Sequence, residues 1–246
     1  MIRTLDPLDT EVLVIHAAPG TIVIYSDLVC SFAHLAVHRL HRTRAELGLE
    51  GAVAFDHRAF PLELFNEQVN PRPGVDSEIA VLGGLAPDAG WAMWHAPDWA
   101  YPSTVLPALE AVQAAKEQSW SASEVLDLAL RRAFWADSRC IARRHVILDV
   151  ARGVARRGVL DVDRLADTLD SGRARPAVIA QWRAARSGAV RCSPHLFLPD
   201  GTHVPNPGVT ARWVNGDFGV GFPVIDRDDP TVYRDLLTRA AAVAAA

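Results

Sequence analysis

Cys30 is the residue around which chemistry can be built, because it follows the short apolar run Val23-Ile24-Tyr25 and opens a segment with helical spacing of apolar residues. A cysteine at a helix start faces unpaired backbone N–H groups and the positive end of the helix dipole. Both favour the thiolate, the nucleophilic form, so a thiol of lowered pKa is expected there. Inert packing is the competing reading of such a cysteine. His34, His38 and His41 follow at spacings of four, four and three, on one helix face. Thiolate and imidazole are zinc-type ligands. A straight helix spreads these four residues over about 16 Å, at about 1.5 Å per residue, too far for one ion, and no metal site is expected. His38 and His41 are expected on a solvated face. His34, one turn from Cys30, is a candidate to stabilise its thiolate.

A second signal lies far downstream, in Cys192-Ser193-Pro194-His195-Leu196-Phe197. Proline directly before an apolar strand is awkward, since it lacks a ladder donor. A cis peptide at Ser193–Pro194 would explain it, and an ordinary trans proline at a strand entry is the commoner alternative. His195 is a second candidate for the site.

The elements that must position these residues follow from periodicity. Short β-branched runs over 11–15 and 21–25 read as strands separated by Ala-Ala-Pro-Gly. Phe32, Leu35, Ala36, Leu40 and Leu47 predict a helix from about Cys30 to Leu47, stopped by Gly48 and Gly51. Residues 52–55 read as a second buried strand, so the order β, α, β implies a parallel pair with a right-handed crossover. Helices are expected over 77–85, 104–118, 123–135, 141–157 and 163–169, with a cap among Ser121–Ser123. Cys140 reads as a structural helix cysteine. After a helix near 177–186, strand character returns at 195–198 and 203–205. The Gly-rich stretch 216–221 reads as a loop, and 233–243 as a final helix. The sum is an α/β chain with a helical block set into a thioredoxin-like fold. The thioredoxin-like part is expected over 10–62 and 175–246, and the helical insertion over 63–174.

Composition narrows the function. The chain has 246 residues, 50% of them hydrophobic, and a formal charge of −4. No basic excess is available to neutralise phosphates, so neither a nucleic-acid nor an anionic-membrane surface is expected. The arginine pairs at 131–132, 143–144 and 156–157 read as solvated helix faces. No cationic start with a following apolar run marks the N-terminus, and no apolar stretch approaches about 20 residues. Three cysteines without a CxxC pair argue against a disulfide framework and suit a cytoplasmic, reducing setting.

The strand–Cys30–helix segment, Phe60-Pro61-Leu62, Ser193-Pro194-His195-Leu196-Phe197, Asp200-Gly201-Thr202 and Asn206-Pro207-Gly208 together resemble the DsbA-like thioredoxin-fold family. The resemblance is to its FrnE-type oxidoreductase branch in particular, with kappa-class glutathione transferases and 2-hydroxychromene-2-carboxylate isomerases as relatives. It implies that Cys30 matches the attacking thiol of a CPxC motif, or the serine that replaces it in glutathione-dependent branches, and that Pro194 is the cis-proline. Ser31 stands where the motif has proline, Phe32 where tryptophan or tyrosine is common, and Ala33 where the resolving cysteine belongs. Without that second thiol, a mixed disulfide cannot be resolved within the motif.

Three readings of the lone thiol follow. In the first, Cys30, with Ser31 and Pro194 beside it, acts as a monothiol on a small thiol or a disulfide-containing protein. Phe32, Ala33, His34, Ser193 and His195 would bind substrate. The variant of this reading is a transferase or isomerase using glutathione or mycothiol, which Cys30 or Ser31 only orients. In the second, Cys192, which the fold brings near the helix start, pairs with or resolves Cys30 if their Cα atoms lie within about 7 Å; otherwise it points away. In the third, the chain is a non-catalytic binding scaffold. No tightly bound cofactor is expected beyond a low-molecular-weight thiol as co-substrate, and the chain is expected to be a monomer or homodimer.

Overall fold

The structure is a computed structural model and describes residues 14–156, 158–218 and 220–244. Strand β1 (Thr21–Ser26) is buried along its whole length. Alternate side chains of a strand project to opposite faces. Ile22 and Ile24 therefore meet Ala36, Val37 and Leu40 of helix α1 (Ser31–Glu46) and Leu236 and Leu237 of the C-terminal helix. Val23 and Tyr25 meet Phe60, Val190 and Phe197 on the other side. Each such side chain removed from water contributes about 1.5–3 kcal/mol, which fixes the central strand between two apolar layers.

Strand β2 (Ala54–Ala59) pairs with β1 in parallel, with Thr21 opposite Ala54. Helices α2 (Leu62–Asn66), α3 (Arg72–Leu82), α4 (Leu106–Lys116), α5 (Trp120–Trp135), α6 (Arg144–Ala155), α7 (Val162–Asp170) and α8 (Arg175–Ala184) follow. Strands β3 (His195–Phe197) and β4 (His203–Pro205) then complete an antiparallel edge, and the sheet order is β2-β1-β3-β4. A separate ribbon of β5 (Val209–Val214) and β6 (Phe222–Asp228) precedes α9 (Val232–Ala244). This is the thioredoxin-type sheet interrupted by helices that the sequence predicts. Among the described residues no helix is long and apolar enough to cross a membrane.

The helical block has its own core, containing Leu109, Val112, Leu126, Leu130, Phe134 and Ile147. Leu28 and Val29, in the loop after β1, are fully buried in that same core. The segment carrying Cys30 is thus anchored in the helical block on one side and continues into α1 on the other.

Several sequence expectations need correction. Of the strand expected over 11–15, residues 11–13 lie outside the described residues, and 14–15 are not in a strand. Helix α5 is capped by Ser119, whose side chain accepts from Ala122 N–H, rather than by a serine in 121–123. Cys140 lies in the connection before α6, outside any helix. Arg131 is not solvated but 1% exposed; Arg157 lies outside the described residues. The β5–β6 ribbon went unforeseen, and the stretch 216–221 is its connecting turn, with Gly219 undescribed.

Candidate functional site

The loop from Ser26 to Cys30 has each of its carbonyls engaged by a donor from elsewhere. The Ser26 carbonyl accepts from Phe60 N–H at 3.0 Å. That of Asp27 accepts from Arg131 Nη1 at 3.0 Å, and that of Leu28 from Trp135 Nε1 at 3.0 Å. The Val29 carbonyl accepts from Asn70 Nδ2 at 3.1 Å, and the Cys30 carbonyl begins the helix by accepting from His34 N–H at 2.9 Å. Buried carbonyls left without donors cost free energy, so this ladder fixes the loop's path. Arg131 is held in turn by Asp127, with Nε 2.6 Å from Oδ1, and its Nη2 donates to Ser26 Oγ at 2.8 Å.

Asp27 clamps the turn from within. Its Oδ1 accepts from Val29 N–H and its Oδ2 from Leu62 N–H, both at 2.8 Å, while its own N–H donates to Ser193 Oγ at 2.9 Å. Burial pushes its pKa up to about 6, although both N–H groups and Arg131 pull the other way.

The clamp brings the two distant sequence signals together. The peptide between Ser193 and Pro194 is cis, and Cys30 Sγ donates to the Ser193 carbonyl at 3.1 Å. The Pro194 carbonyl accepts from Asn206 N–H at 3.0 Å, which ties this loop to the start of the β5–β6 region. Ala33, in the fourth position after Cys30 is counted as the first, is fully buried. Ser31 Oγ donates to Glu78 Oε2 of α3 at 2.6 Å. Phe32 is half-buried and packs with Leu35, Leu82 and Val209.

The thiol does not carry the lowered pKa expected of a helix start. Burial raises the Cys30 pKa to about 12, and the nearby Glu78 carboxylate is the second cause. His34 offers the thiol no charge. Its ring stacks 5.3 Å from Trp135, its Nε2 lies 3.0 Å from the Ala89 carbonyl, and burial lowers its pKa to about 3. His195 is fully buried in the sheet. There Nδ1 accepts from Arg191 N–H at 3.1 Å and Nε2 lies 3.1 Å from His203 Nδ1. Burial lowers its pKa to about 4. Both rings are neutral structural groups at physiological pH.

Cys30, Cys140 and Cys192 are all free thiols. Cys192 Sγ donates to the Pro194 carbonyl at 3.2 Å. His41 packs edge-on against Phe55 at 4.8 Å, and burial lowers its pKa well below the usual value. The solvated face expected for it is therefore absent. His38 is half-buried and faces Asp88 at 3.3 Å. Among the described residues no cluster of three or more metal-type ligands occurs. Trp91 and Trp94 pack against Trp135, Phe134 and Tyr101, forming a corner of the helical core, while Trp99 is 75% exposed.

Sequence reasoning missed Asp27, Asn70, Glu78 and Arg131. Asp27 carried a signal, being a carboxylate three residues before the cysteine. The others reach the site from the insertion, with no local pattern to betray them.

No family model matches the chain, and no curated protein matches its sequence. Solved structures do match its fold. A probable DsbA oxidoreductase from Streptomyces coelicolor is 19% identical with a TM-score of 0.63, over 90% of each chain. A putative protein disulfide isomerase from Nitrosomonas europaea is 13% identical with a TM-score of 0.61, over 90% of this chain and 97% of that one. The cytosolic disulfide reductase DsbM from Pseudomonas aeruginosa is 15% identical with a TM-score of 0.59, over 90% of this chain and 95% of that one. DsbM has also been solved with GSH, and that form matches at 14% identity over 90% of this chain and 96% of that one, with a TM-score of 0.52. This likeness establishes the DsbA-like thioredoxin fold with its helical insertion.

Proposed function

We propose that the chain is a thiol–disulfide oxidoreductase that works through Cys30 as a monothiol. The observation that carries this reading is the placement of the Cys30 thiol at the start of α1, 3.1 Å from the carbonyl of Ser193 and beside cis-Pro194, with Ala33 where a second thiol would sit. Backbone groups of such a loop suit an extended thiol-bearing chain, which binds by strand-like hydrogen bonds.

In the first step, the Cys30 sulfur attacks one sulfur of a disulfide RS–SR′. The Cys30–S–SR bond forms, the S–S bond of the substrate breaks, and the leaving R′S⁻ takes up the proton lost by Cys30. In the second, a low-molecular-weight thiol R″SH attacks the sulfur of the R group, giving R″S–SR and restoring the Cys30 thiol. The external thiol performs the resolution that Ala33 cannot. Small thiols and disulfide-containing proteins are the substrate classes this sequence accepts, and a reducing compartment suits it.

One observation favours a second reading. A thiol held at a pKa of about 12 is a hydrogen-bond donor at rest. In that role Cys30, or Ser31, would orient the sulfur of a bound thiol cofactor that is itself the nucleophile, as in a transferase or isomerase. Cys30→Ser separates the two. Incubation with an oxidised small-molecule disulfide, followed by peptide mass spectrometry, is expected to add one half-disulfide at Cys30 of the wild type. Disulfide exchange is expected to vanish in Cys30→Ser. No adduct at Cys30 and an unchanged exchange rate in Cys30→Ser would defeat the monothiol reading. Thiol-dependent activity surviving in Cys30→Ser would favour the orienting role, and no activity in either protein would favour a binding scaffold.

A further inference from the structure

The bond between Ser31 and Glu78 has no part in the exchange steps, yet it lies one residue from the nucleophile. Glu78 projects from α3, is 5% exposed, and its Oε2 accepts from Ser31 Oγ at 2.6 Å. Among the described residues no Lys, Arg or His pairs with it. A carboxylate removed from water and from cations is a costly charge. Cys30 is also buried and also becomes negative when it ionises, so the site has room for one negative charge and two groups able to carry it.

We propose that Glu78 is a positioning residue for Cys30, fixed by Ser31 against the start of α1, and that the two groups share a single negative charge. Either Glu78 is a carboxylate and Cys30 a thiol, or the proton lies on Glu78 and Cys30 is the thiolate. Formation of the nucleophile then moves a proton from sulfur to carboxylate with no change in net charge. The proton rests on Glu78 until the leaving thiolate needs it.

The other ionisable groups around the pair keep their states or can be separated from it. Asp27 precedes Cys30 in the same loop, and burial raises its pKa to about 6. Arg131 from α5 is engaged by Asp127, and burial keeps His34 on α1 neutral. Tyr101, before α4, is pushed above its ordinary value by burial. Burial likewise raises the Glu78 pKa to about 7, with the Ser31 hydrogen bond opposing it.

A shared charge has a signature in the wild-type protein. Below the Glu78 pKa, each pH unit increases the thiolate form about tenfold. Above it, the two singly charged forms hold a fixed ratio, and the thiolate population stops rising until a second proton leaves. This inference rests on Cys30 being the reacting thiol of the site, but it concerns ionisation and needs no disulfide exchange.

The test is the rate of Cys30 alkylation by iodoacetamide from pH 5.5 to 9, read peptide by peptide so that Cys140 and Cys192 serve as internal references. The wild-type rate is expected to climb about tenfold per pH unit and then level off near pH 7. Glu78→Gln keeps an acceptor for Ser31 but removes the charge. Its profile is expected to follow the wild type below pH 7 and to keep climbing above it, reaching about tenfold faster at pH 9. Ser31→Ala leaves the carboxylate in place and is expected to retain the plateau. A wild-type rate that climbs without a break through pH 7–9 overturns the proposal, whether or not Glu78→Gln folds. A break that persists in Glu78→Gln assigns it to Asp27 and also overturns it. Acceleration in Ser31→Ala equal to that in Glu78→Gln would mean that loosening, not charge, exposes the thiol, and that result too overturns the proposal.

Discussion

Arg131 is the residue whose removal tests most directly what holds the Cys30 loop. Its guanidinium is 1% exposed and makes four hydrogen bonds, two to Asp127, one to the Asp27 carbonyl and one to Ser26 Oγ. In Arg131→Met the aliphatic stem survives in similar volume while all four donors vanish. Breaking a buried ion pair by removing one partner costs about 3–5 kcal/mol, because the other charge stays buried without compensation. His57 Nδ1, 3.6 Å from Asp127 Oδ2, recovers part of this by taking a proton. The stranded Asp27 carbonyl and Ser26 hydroxyl add about 1 kcal/mol or more between them. The expected loss is therefore about 4–5 kcal/mol, a large share of the roughly 5–15 kcal/mol that holds a domain together.

Urea unfolding followed by tryptophan fluorescence at pH 7 measures it. The double variant Asp127→Asn with Arg131→Met removes both charges. It is expected to recover about 2–3 kcal/mol of the loss, leaving the cost of the loop acceptors. A loss below about 1.5 kcal/mol in Arg131→Met, or no recovery in the double variant, would refute the reasoning that this ion pair holds the loop.

His34 is held neutral by burial with a folded pKa of about 3. Its folded pKa lies below the unfolded one, so its stability contribution is present above about pH 6.5 and is lost as pH falls towards 3. His34→Phe keeps a ring in the Trp91–Trp135 stack. Between pH 7 and pH 4 its stability in urea melts is expected to improve relative to wild type by about 3 kcal/mol, and parallel curves would count against the assignment. Glu124 joins three elements: it accepts from Arg44 Nη2 at 2.6 Å and from Phe55 N–H at 2.8 Å. Glu124→Ala strands a buried arginine and an N–H, so a loss of about 3–5 kcal/mol in the same assay is expected. Gly208 has φ of 74°, and a Cβ there would strike the Asp229 carbonyl oxygen. Gly208→Ala is expected to lower the thermal midpoint by several degrees, whereas Gly201→Ala, with open space around it, carries only its backbone strain.

The legible part of the sequence was the part governed by local rules. Val23-Ile24-Tyr25 followed by helical spacing from Phe32 onwards marks a strand-to-helix switch, and the structure has it there. The β5–β6 ribbon escaped because its outer residues are exposed and its apolar ones do not alternate. Residues Thr210, Ala211 and Arg212 all face solvent, and a bulge falls between Thr210 and Ala211. Arg131 was misread for a related reason. On α5 it looks like one half of a basic surface pair, and its buried partners include loop atoms 104 and 105 residues away. Glu78 lies 47 residues from Ser31 and follows Asp76 and Ser77, so in sequence it reads as part of an ordinary polar helix face. Local periodicity reports which face of a helix is apolar; it does not report which polar side chains the tertiary structure will close over.

The misjudged thiol illustrates the same limit as a contest of magnitudes. A helix N-terminus favours a negative charge by about 0.3–1 kcal/mol when exposed, and by about 2 kcal/mol in favourable buried geometry, the latter equivalent to roughly one and a half pKa units. That is enough to activate a cysteine that water can reach. At Cys30, 7% exposed, the opposing effects are burial, which is the larger, and the Glu78 carboxylate, and together they raise the thiol from 9.0 to about 12. Three units correspond to about 4 kcal/mol, so the dipole loses. The position of a cysteine along the chain therefore states what the backbone offers it. Whether the offer decides reactivity depends on the insertion, because α3 supplies the carboxylate and the helical block buries the neighbouring Leu28 and Val29. Removing the Glu78 charge cancels the smaller opposing effect and leaves the larger, which is why Glu78→Gln is expected to speed Cys30 alkylation above pH 7 without converting the residue into a permanently ionised thiolate.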